Sequence, residues 1–302
     1  MNTLWQRKDF LQAGGGVLRP GGMELTRRGL SLCAGHCGLE PSALVLDLGC
    51  GAGATLELLL AEGHRAFGLD EDIQPLLKDR PGCRGRTIRA DITRLPLVDA
   101  KADALFGECV LSLLPDPAAA LKEWSRVLRP GGALLLSDFY LRGPKARPPT
   151  PNARRDGPSA GGGYLHGRGR DKRFPGPDSS RLSISHGPWP IDSSPGEFPT
   201  GGAWSKDSRP DTSRPAALRP GGSCLDGALF AREWEELLRE AGFLLRASED
   251  RSADLAALAA RLVWYGQGDL PQIFGLCSPG NNRSRGARQY GYGLWAAQKE
   301  AG

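Results

Sequence analysis

Residues 43–55 read ALVLDLGCGAGAT, an apolar run that leads directly into three alternating glycines. The apolar residues from Leu44 to Leu48 show no helical period, which predicts a short parallel strand covered on both faces. Gly49, Gly51 and Gly53 allow a sharp turn and a close approach of a ligand to main-chain N–H groups. The stretch therefore predicts a strand, a turn and a helix that together form a nucleotide-type pocket.

The spacing of the glycines indicates which kind of nucleotide pocket this is. A dinucleotide-binding turn has the pattern G-x-G-x-x-G, whereas here the third glycine comes one residue earlier and Asp47 stands two positions before the first. This D-x-G-x-G-x-G arrangement resembles motif I of the class I S-adenosylmethionine-dependent methyltransferases of the small-molecule, type 11-like group. Further matches follow over residues 43–139 and after residue 222. The resemblance implies S-adenosyl-L-methionine as the cofactor, held at this loop by Asp47, Gly49, Cys50, Gly51 and Gly53.

Three later residues are candidates for binding the rest of the cofactor. Asp70 follows a predicted second strand at residues 65–69, where an acid is placed to accept hydrogen bonds from ribose hydroxyls. The alternative is that Asp70 is the N-cap of the next helix, because acidic residues there precede an apolar run. Asp91 and Ile92 follow a predicted third strand at residues 84–89, and the resemblance implies that they bind adenine.

The rest of the sequence predicts a sheet with helices on both faces. Further strands are predicted at residues 102–107, 133–138, 243–247 and 293–298, and helices at 117–128, 229–241 and 253–265. A helix over Met23–Cys33 precedes the first strand, and in the family such a helix often lies near the cofactor as a lid. The fold class is therefore α/β, with a Rossmann-like, doubly wound, seven-stranded sheet. The resemblance implies that its last strand is antiparallel and lies at the edge.

One sequence, LRPGG, occurs three times, beginning at Leu18, Leu128 and Leu218. The residues that flank the three copies show no similarity to one another. We therefore interpret LRPGG as a recurrent turn rather than as part of an internal repeat.

Residues 143–222 differ from the rest of the chain in composition. They contain 14 Pro, 14 Gly and 10 Ser, with 13 basic and 7 acidic side chains. Such a segment cannot bury enough apolar surface to offset the entropy of ordering it, which predicts a disordered insert. Residues 1–142 and 223–302 are then two parts of one methyltransferase domain. The formal net charge of +5 comes from the insert and gives no information about the substrate.

The sequence also indicates where the protein functions. Its first residues lack the apolar core of a secretory signal, and no run approaches the length of a membrane span. Seven cysteines without a C-x-x-C motif favour reduced thiols over a disulfide framework. We therefore expect a cytoplasmic protein that acts on a small molecule, without a membrane. Neither the acceptor nor the oligomeric state can be predicted.

The methyl acceptor is expected at the carboxyl ends of the fourth and fifth strands, where ligands of such sheets bind. Residues there are Glu108, Cys109, Asp138 and Tyr140, of which Glu108, Cys109 and Tyr140 are the catalytic candidates. Histidine, the commonest general base near neutral pH, is almost absent from this edge. The base is then a carboxylate, or the acceptor requires no base.

If the acceptor requires no base, an alternative is an acceptor site formed by cysteines. A thiol or trivalent arsenic could bind Cys50, Cys109 and Cys224, as in arsenite methyltransferases, which the sequence resembles only at the level of the class. The simpler interpretation is that these cysteines are small core residues. Cys33 and Cys37 have helical i, i+4 spacing, but too few ligands accompany them, so no metal site is predicted.

A different class of function is cofactor binding without catalysis. In this alternative the Arg/Gly-rich insert would attach the protein to nucleic acid or another polyanion. Aspartates are interspersed in the insert and the rest of the chain is near neutral, so nucleic acid is not the expected partner. Salt-dependent retention on heparin that disappears when the insert is deleted would separate the two hypotheses.

Overall fold

The computed structural model describes residue 17 and residues 19–142, 224–225, 227–264 and 290–301. The strands are β1 Leu44–Leu48, β2 Arg65–Asp70, β3 Thr87–Arg89, β4 Ala102–Glu108, β5 Leu128–Leu141, β6 Leu229–Phe230, β7 Phe243–Asp250 and β8 Tyr290–Lys299. The α-helices are α1 Gly22–Cys37, α2 Ala54–Ala61, α3 Gln74–Asp79, α4 Pro117–Val127, α5 Ala231–Glu240 and α6 Ser252–Trp264. Two 3-10 turns lie at Pro81–Cys83 and Leu111–Leu113.

The strands form a single sheet in the order β3-β2-β1-β4-β5-β8-β7, and β6 pairs separately with β5. Strands β1 to β5 are parallel along this path, and β8 is antiparallel to both β5 and β7. The predicted Rossmann-like α/β class is confirmed. The antiparallel strand differs in position from the expectation, because β8 lies between β5 and β7 and β7 forms the edge.

Two apolar cores cover the two faces of the sheet. The first includes residues of α1, α2 and α6, and the second includes residues of α4 and α5. Glycines allow the closest contacts: a Cβ on Gly29 of α1 would lie 2.4 Å from Leu135 Cδ2, and a Cβ on Gly107 would lie 2.8 Å from Trp124 Cζ3. Helix α1 and the α4 tryptophan therefore pack directly on the sheet, which fixes the residues at its carboxyl edge.

The predicted bounds of the helices and strands differ most from the observed bounds where glycine and proline are concentrated. Strand β5 begins at Leu128, so the second LRPGG segment belongs to the strand and not to a separate turn. Gly131 has a φ of 71° there, and the pairing with β4 shifts between Ala102 and Ala104. Strand β5 therefore begins irregularly around Gly131. The residues there prefer a turn, but their pairing with β4 overrides that preference.

The two described parts of the chain meet in the sheet. Strand β5 pairs with β8 from Ala133 opposite Gln298 to Leu141 opposite Tyr290. The predicted insert at residues 143–222 lies outside the described residues, so its character and the domain bounds drawn from it stay predictions. None of the helices in the described ranges combines the length and the hydropathy that a membrane span requires.

Candidate functional site

The glycine loop after β1 passes the carboxyl end of β2. The N–H groups of Gly49 and Cys50 donate to the Leu69 carbonyl at 2.8 and 3.1 Å. Gly49 and Gly51 have φ angles of 72° and 49°, which favour glycine. A Cβ on Gly49 would lie 2.4 Å from Val110 Cγ2, whereas a Cβ on Gly51 would meet nothing within 4 Å. The main chain at Gly51 therefore borders open space.

Asp70 lies at the end of β2, beside this loop. Its Oδ2 accepts from the Gly51 N–H at 2.8 Å, and its Oδ1 accepts from the Asp72 N–H at 2.9 Å. Two main-chain donors hold the carboxylate, which keeps further lone pairs for a ligand hydroxyl. The bond to the start of α3 is made by Asp72, whose Oδ1 accepts from the Gln74 N–H at 3.0 Å. The side chain that bonds the start of α3 is therefore that of Asp72, and the ribose role of Asp70 stays a prediction.

Asp47 is a buried carboxylate with an unmatched oxygen. It is 3% exposed, and its Oδ2 has no hydrogen-bond partner among the described residues. A main-chain hydrogen bond reaches it from Leu56 of α2, the helix that Gly53 begins with a φ of 77°. Burial and the negative charge of Glu108 raise the pKa of Asp47 to about 8, although Arg19 acts in the opposite direction. The position suits a ligand that brings a donor or a positive charge.

Glu108 ends β4 and contacts both α1 and α2. Its Oε1 and Oε2 lie 3.0 and 3.2 Å from Thr26 Oγ1, and Oε2 accepts from Thr55 Oγ1 at 2.7 Å. Arg19 Nη2 lies 3.0 Å from Oε2, and both side chains of this ion pair are buried. In this arrangement three side-chain donors occupy most of the lone pairs of the carboxylate.

Arg19 is the site residue that the sequence analysis missed. It precedes α1 in the first LRPGG segment and is 8% exposed. Its Nη2 donates to Thr55 Oγ1 at 2.8 Å and also contacts Thr26 and Glu108. Its Nε has no hydrogen-bond partner among the described residues. No local signal marks Arg19, because the same sequence at Leu128 begins a strand.

Cys109 follows Glu108 in an unusual main-chain conformation. Its φ is 56°, in the left-handed region that residues other than glycine rarely adopt. Its N–H donates to the Ser137 carbonyl at 2.7 Å, and its Sγ lies 3.1 Å from the Tyr292 hydroxyl, which lies 3.1 Å from Ser137 Oγ. Burial and the nearby charge of Asp138 raise the pKa of the thiol. Cys109 is therefore a protonated thiol held by its neighbours.

Asp138 and Tyr140 face the α4 and α5 side of the sheet. Asp138 accepts from the N–H and the Oγ of Ser112 at 2.9 and 2.6 Å. Burial raises its pKa to about 6 against the effect of these hydrogen bonds. The Tyr140 ring packs over Gly291, where a Cβ would lie 2.1 Å from Cζ, and its centroid lies 6.5 Å from that of Trp295. Asp138 thus fixes the segment after β4, while Tyr140 packs on β8.

Asp91 and Ile92 follow β3 and are held by local contacts. Asp91 Oδ1 accepts from the N–H and the Oγ1 of Thr93 at 2.8 and 2.6 Å. Ile92 is buried in the second core, and its carbonyl accepts from Trp124 Nε1 at 2.8 Å. These contacts position the segment, and its role in binding adenine stays a prediction.

The described cysteines all lie in the first core or pack against it. A Cβ on Gly68 would lie 2.7 Å from Cys50 Sγ, so this sulfur packs against β2. Cys224 is half-buried against the first core. Cys33 and Cys37 are buried in the same core, and the hydrogen bond between them lowers the pKa of Cys37. No group of three or more His, Cys, Asp or Glu in the described ranges could hold a metal ion.

A surface cavity of about 430 Å³ lies near the amino ends of β1 and β2, opposite the carboxyl ends that carry the predicted site. It is bordered by α1 and by the turns that precede β1 and β2. Its lining residues include Arg27, Leu30, Leu39, Glu62 and His64. The cavity contains none of the predicted site residues.

Comparisons with known proteins match the region that builds the site. Residues 46–136 match the family described as Methyltransferase domain. The chain is 34% identical over 98 residues to a malonyl-[acyl-carrier protein] O-methyltransferase of Hamiltonella defensa, covering 32% of this chain and 38% of that protein. It is 33% identical over 125 residues to an arsenite methyltransferase of Aquipseudomonas alcaligenes, covering 34% and 36%. The chain therefore spans little more than a third of the length of these relatives.

A solved structure shows the same fold over most of the chain. The phosphoethanolamine N-methyltransferase 2 of Haemonchus contortus, in complex with S-adenosyl-L-methionine, superimposes with a TM-score of 0.56 at 13% identity. The match covers 99% of this chain and 57% of that one. Residues 46–136 are therefore similar to a methyltransferase domain, and the chain has the fold of the solved methyltransferase structure. The matched region contains the glycine loop and Glu108.

Proposed function

We propose that this chain transfers a methyl group from S-adenosyl-L-methionine to a small-molecule acceptor. The observation that carries the proposal is the unpartnered, buried Oδ2 of Asp47 beside the glycine loop. A buried carboxyl oxygen without a partner is unfavourable in the ligand-free domain, which supports a ligand that supplies one. The curated relatives support the same reaction, because their names describe methyltransferases.

The residues at the carboxyl edge fit the parts of this cofactor. Asp47 would accept from the ammonium of the amino-acid end, and the open space at Gly51 would admit the ligand close to the main chain. Asp70 would accept from the ribose hydroxyls, since its oxygens are already aimed by two N–H groups. Asp91 and Ile92 are the proposed contacts to adenine.

The chemistry places few demands on the protein. S-adenosyl-L-methionine supplies, when bound, a methyl group on a sulfonium that is a good leaving group. The chain's own residues then have to bind, orient and exclude water. A positive charge on the ligand beside Asp47 would favour the ionised form of this buried carboxyl group, whose pKa burial raises.

The three residues proposed at the acceptor side have different surroundings. Glu108 is held by Arg19 and two threonines, and it would have to leave these partners to act as a base. Tyr140 contacts Gly291 on β8. Cys109 follows the end of β4 with a strained main chain, which is common at functional sites. We therefore place the acceptor nearest to Cys109 and propose no proton transfer to Glu108 in this arrangement.

The soft-acceptor alternative has one observation in its favour. A relative is named an arsenite methyltransferase, and Cys109 carries a thiol at the proposed acceptor side. Cys50, however, packs against Gly68 of β2. We expect Cys109 to react slowly with iodoacetamide, because burial and Asp138 keep its thiol protonated. Mass spectrometry of the alkylated protein tests this, and fast labelling that arsenite blocks would favour the alternative.

The remaining parts of the proposal concern the whole protein. We place it in the cytoplasm, supported by the free thiols of Cys33, Cys37, Cys50, Cys83 and Cys109. Catalysis is preferred to cofactor binding alone because the relatives are named as enzymes. A tether formed by residues 143–222 stays a prediction.

The proposed function is tested with labelled S-adenosyl-L-methionine and a metabolite extract. We expect the label to appear in a compound of low mass, identified by mass spectrometry. The Gly51→Val variant is the control, because it keeps the remaining site residues but obstructs the open space. Label found only in macromolecules would contradict a small-molecule acceptor, and no cofactor binding in calorimetry would contradict the function as a whole.

A further inference from the structure

The cavity near the amino ends of β1 and β2 combines apolar and polar side chains. Its volume of about 430 Å³ lies in the range of small-molecule sites in proteins. The apolar part of the lining consists of Leu30, Ala34, Leu39 and Pro41. The polar part consists of Arg27, Ser31, Glu62 and His64. An apolar surface with a few polar groups is the usual composition of a ligand site.

Helix α1 forms one wall of the cavity. The four α1 residues that line it occupy positions i, i+3, i+4 and i+7, and they are Arg27, Leu30, Ser31 and Ala34. This spacing places them on one stripe of the helix. The buried residues of α1, which include Thr26 at the Glu108 cluster, lie on the other side. The cavity is therefore separate from the predicted methyltransferase site.

The cavity lining carries one cation and one carboxylate that pair only loosely. Arg27 Nε lies 4.0 Å from Glu62 Oε1, and both side chains are 50% exposed. Arg27 Nη1 also donates to Glu24 at 2.7 Å, so its other N–H groups are left for a ligand. A ligand that carries both a carboxylate and an ammonium can pair with both Arg27 and Glu62. A ligand with a single charge is repelled by one of them.

His64 adds a hydrogen-bond donor to the lining. Its Nδ1 is buried and has no hydrogen-bond partner among the described residues. Burial lowers the pKa of His64, although the charge of Glu62 acts in the opposite direction. A neutral imidazole carries one proton, and a buried N–H without an acceptor is less favourable than a bare acceptor. We therefore expect the proton on Nε2, which then donates to a ligand.

We propose that this cavity binds an α-amino acid with an apolar side chain. Its α-carboxylate pairs with Arg27 and accepts from His64, and its α-ammonium pairs with Glu62. Its side chain packs on Leu30 and Leu39. The inference goes beyond the proposed function and does not depend on it, because the cavity contains none of the predicted site residues.

The test compares L-leucine with three analogues that each lack one group. Isocaproate lacks the ammonium, isoamylamine lacks the carboxylate, and glycine lacks the apolar side chain. Each is titrated into the full chain with ¹⁵N-labelled histidine, in excess S-adenosylhomocysteine, so that it does not compete for the proposed cofactor site. We expect L-leucine to shift the His64 ring signals and to bind at least about fivefold more tightly than each analogue.

Two variants locate the ligand in the cavity. Ala34→Phe fills the cavity from an exposed position of α1, so it should fold, as measured by circular dichroism, and lose L-leucine binding. Glu62→Gln should weaken L-leucine about fivefold and leave isocaproate unchanged or tighter. The matched control is Glu236→Gln, because Glu236 is an exposed acid that pairs with Arg239 on α5. We expect wild-type L-leucine affinity in this control.

Several outcomes would overturn the inference. Wild-type L-leucine affinity in folded Ala34→Phe would place the ligand outside the cavity. Equal affinities for L-leucine and its analogues, or no shift of the His64 signals at about 10 mM L-leucine, would exclude the proposed ligand class. These results leave the proposed function intact. Failure of the chain to bind S-adenosylhomocysteine would instead overturn the proposed function and leave this inference standing.

Discussion

The carboxyl ends of β1 and β2, here called the cofactor half, differ from the ends of β4 and β5, the acceptor half. In the cofactor half, Asp47 keeps an unpartnered oxygen and Gly51 borders open space. In the acceptor half, Glu108 has three side-chain donors and Cys109 is linked to Tyr292. We therefore expect the cofactor half to bind a ligand beside Asp47, whereas the Glu108 and Cys109 side chains of the acceptor half already have partners within the protein. The predictions below test that difference.

The largest effect is expected from closing the open space in the cofactor half. Gly51→Val should abolish measurable binding of S-adenosylhomocysteine in calorimetry, because the side chain would fill the space that the ligand needs. Gly85→Val is the matched control, since Gly85 also has a positive φ and a Cβ there meets nothing within 4 Å. Both variants should lose about 1–2 kcal/mol of stability from backbone strain. Binding by Gly51→Val that equals the control would contradict the role of the loop.

A substitution in the acceptor half should lower the stability of the fold. Glu108→Ala leaves Arg19 buried without its partner, so we expect a loss of about 3–5 kcal/mol in the free energy of unfolding. Glu24→Ala removes an exposed ion pair with Arg27 on α1 and should cost less than about 1 kcal/mol. Urea titrations measure both. Similar small losses for the two variants would show that the Glu108 cluster is not a stabilising unit.

A smaller loss is expected for the ribose contact. Asp70→Ala should weaken binding of S-adenosylhomocysteine by about 1–3 kcal/mol through the lost hydrogen bonds to its hydroxyls. Asp72→Ala is the control, because Asp72 bonds the start of α3 through its side chain and reaches Asp70 only through its N–H. Calorimetry at one pH distinguishes the two. Equal affinities would remove Asp70 from the ribose role.

The effect that is smallest per pH unit is a pH dependence of the cofactor half. Burial and Glu108 raise the pKa of Asp47 to about 8, so between its ordinary value and pH 8 the folded domain binds a proton that the unfolded chain has lost. Stability of the ligand-free domain should therefore fall by at most about 1.4 kcal/mol per pH unit in this range and level off above it. Urea titrations over this range measure the change.

The raised pKa of Asp47 can also be measured through ligand binding. An ammonium beside Asp47 favours the charged carboxylate, so binding of S-adenosylhomocysteine should release a proton below pH 8. Calorimetry in buffers with different ionisation enthalpies counts that proton. Asp47→Asn should abolish the release, and an unchanged count in this variant would assign the proton to another group.

The cofactor half was largely predictable from the sequence because its determinants are local. Asp47, the glycines and Asp70 lie within one strand, turn, helix and strand, and their spacing alone brings them to one edge. The alternative for Asp70 could not be resolved in the same way. The Gln74 N–H donates to Asp72 and not to Asp70, and the sequence offers acidic side chains at both positions.

The acceptor half was not predictable because its contacts connect distant parts of the chain. Glu108 meets Thr26 across 82 positions in sequence, and no periodicity records such a contact. The two described LRPGG segments show the same limit: Arg19 enters the site, while Arg129 pairs with Asp103 on β4. The family resemblance also placed the antiparallel strand at the edge, although β8 pairs on both sides.

The pairing of β5 with β8 has a consequence for how the protein folds. These strands pair over nine residue pairs, yet β8 is the last of the described strands in the sequence. Contacts of such high sequence separation form slowly, because a long loop has to close first. Until β8 docks, β5 presents an open edge that carries Leu134, Leu135 and Leu136. We therefore expect a chain in which β8 has not yet paired to aggregate through this edge.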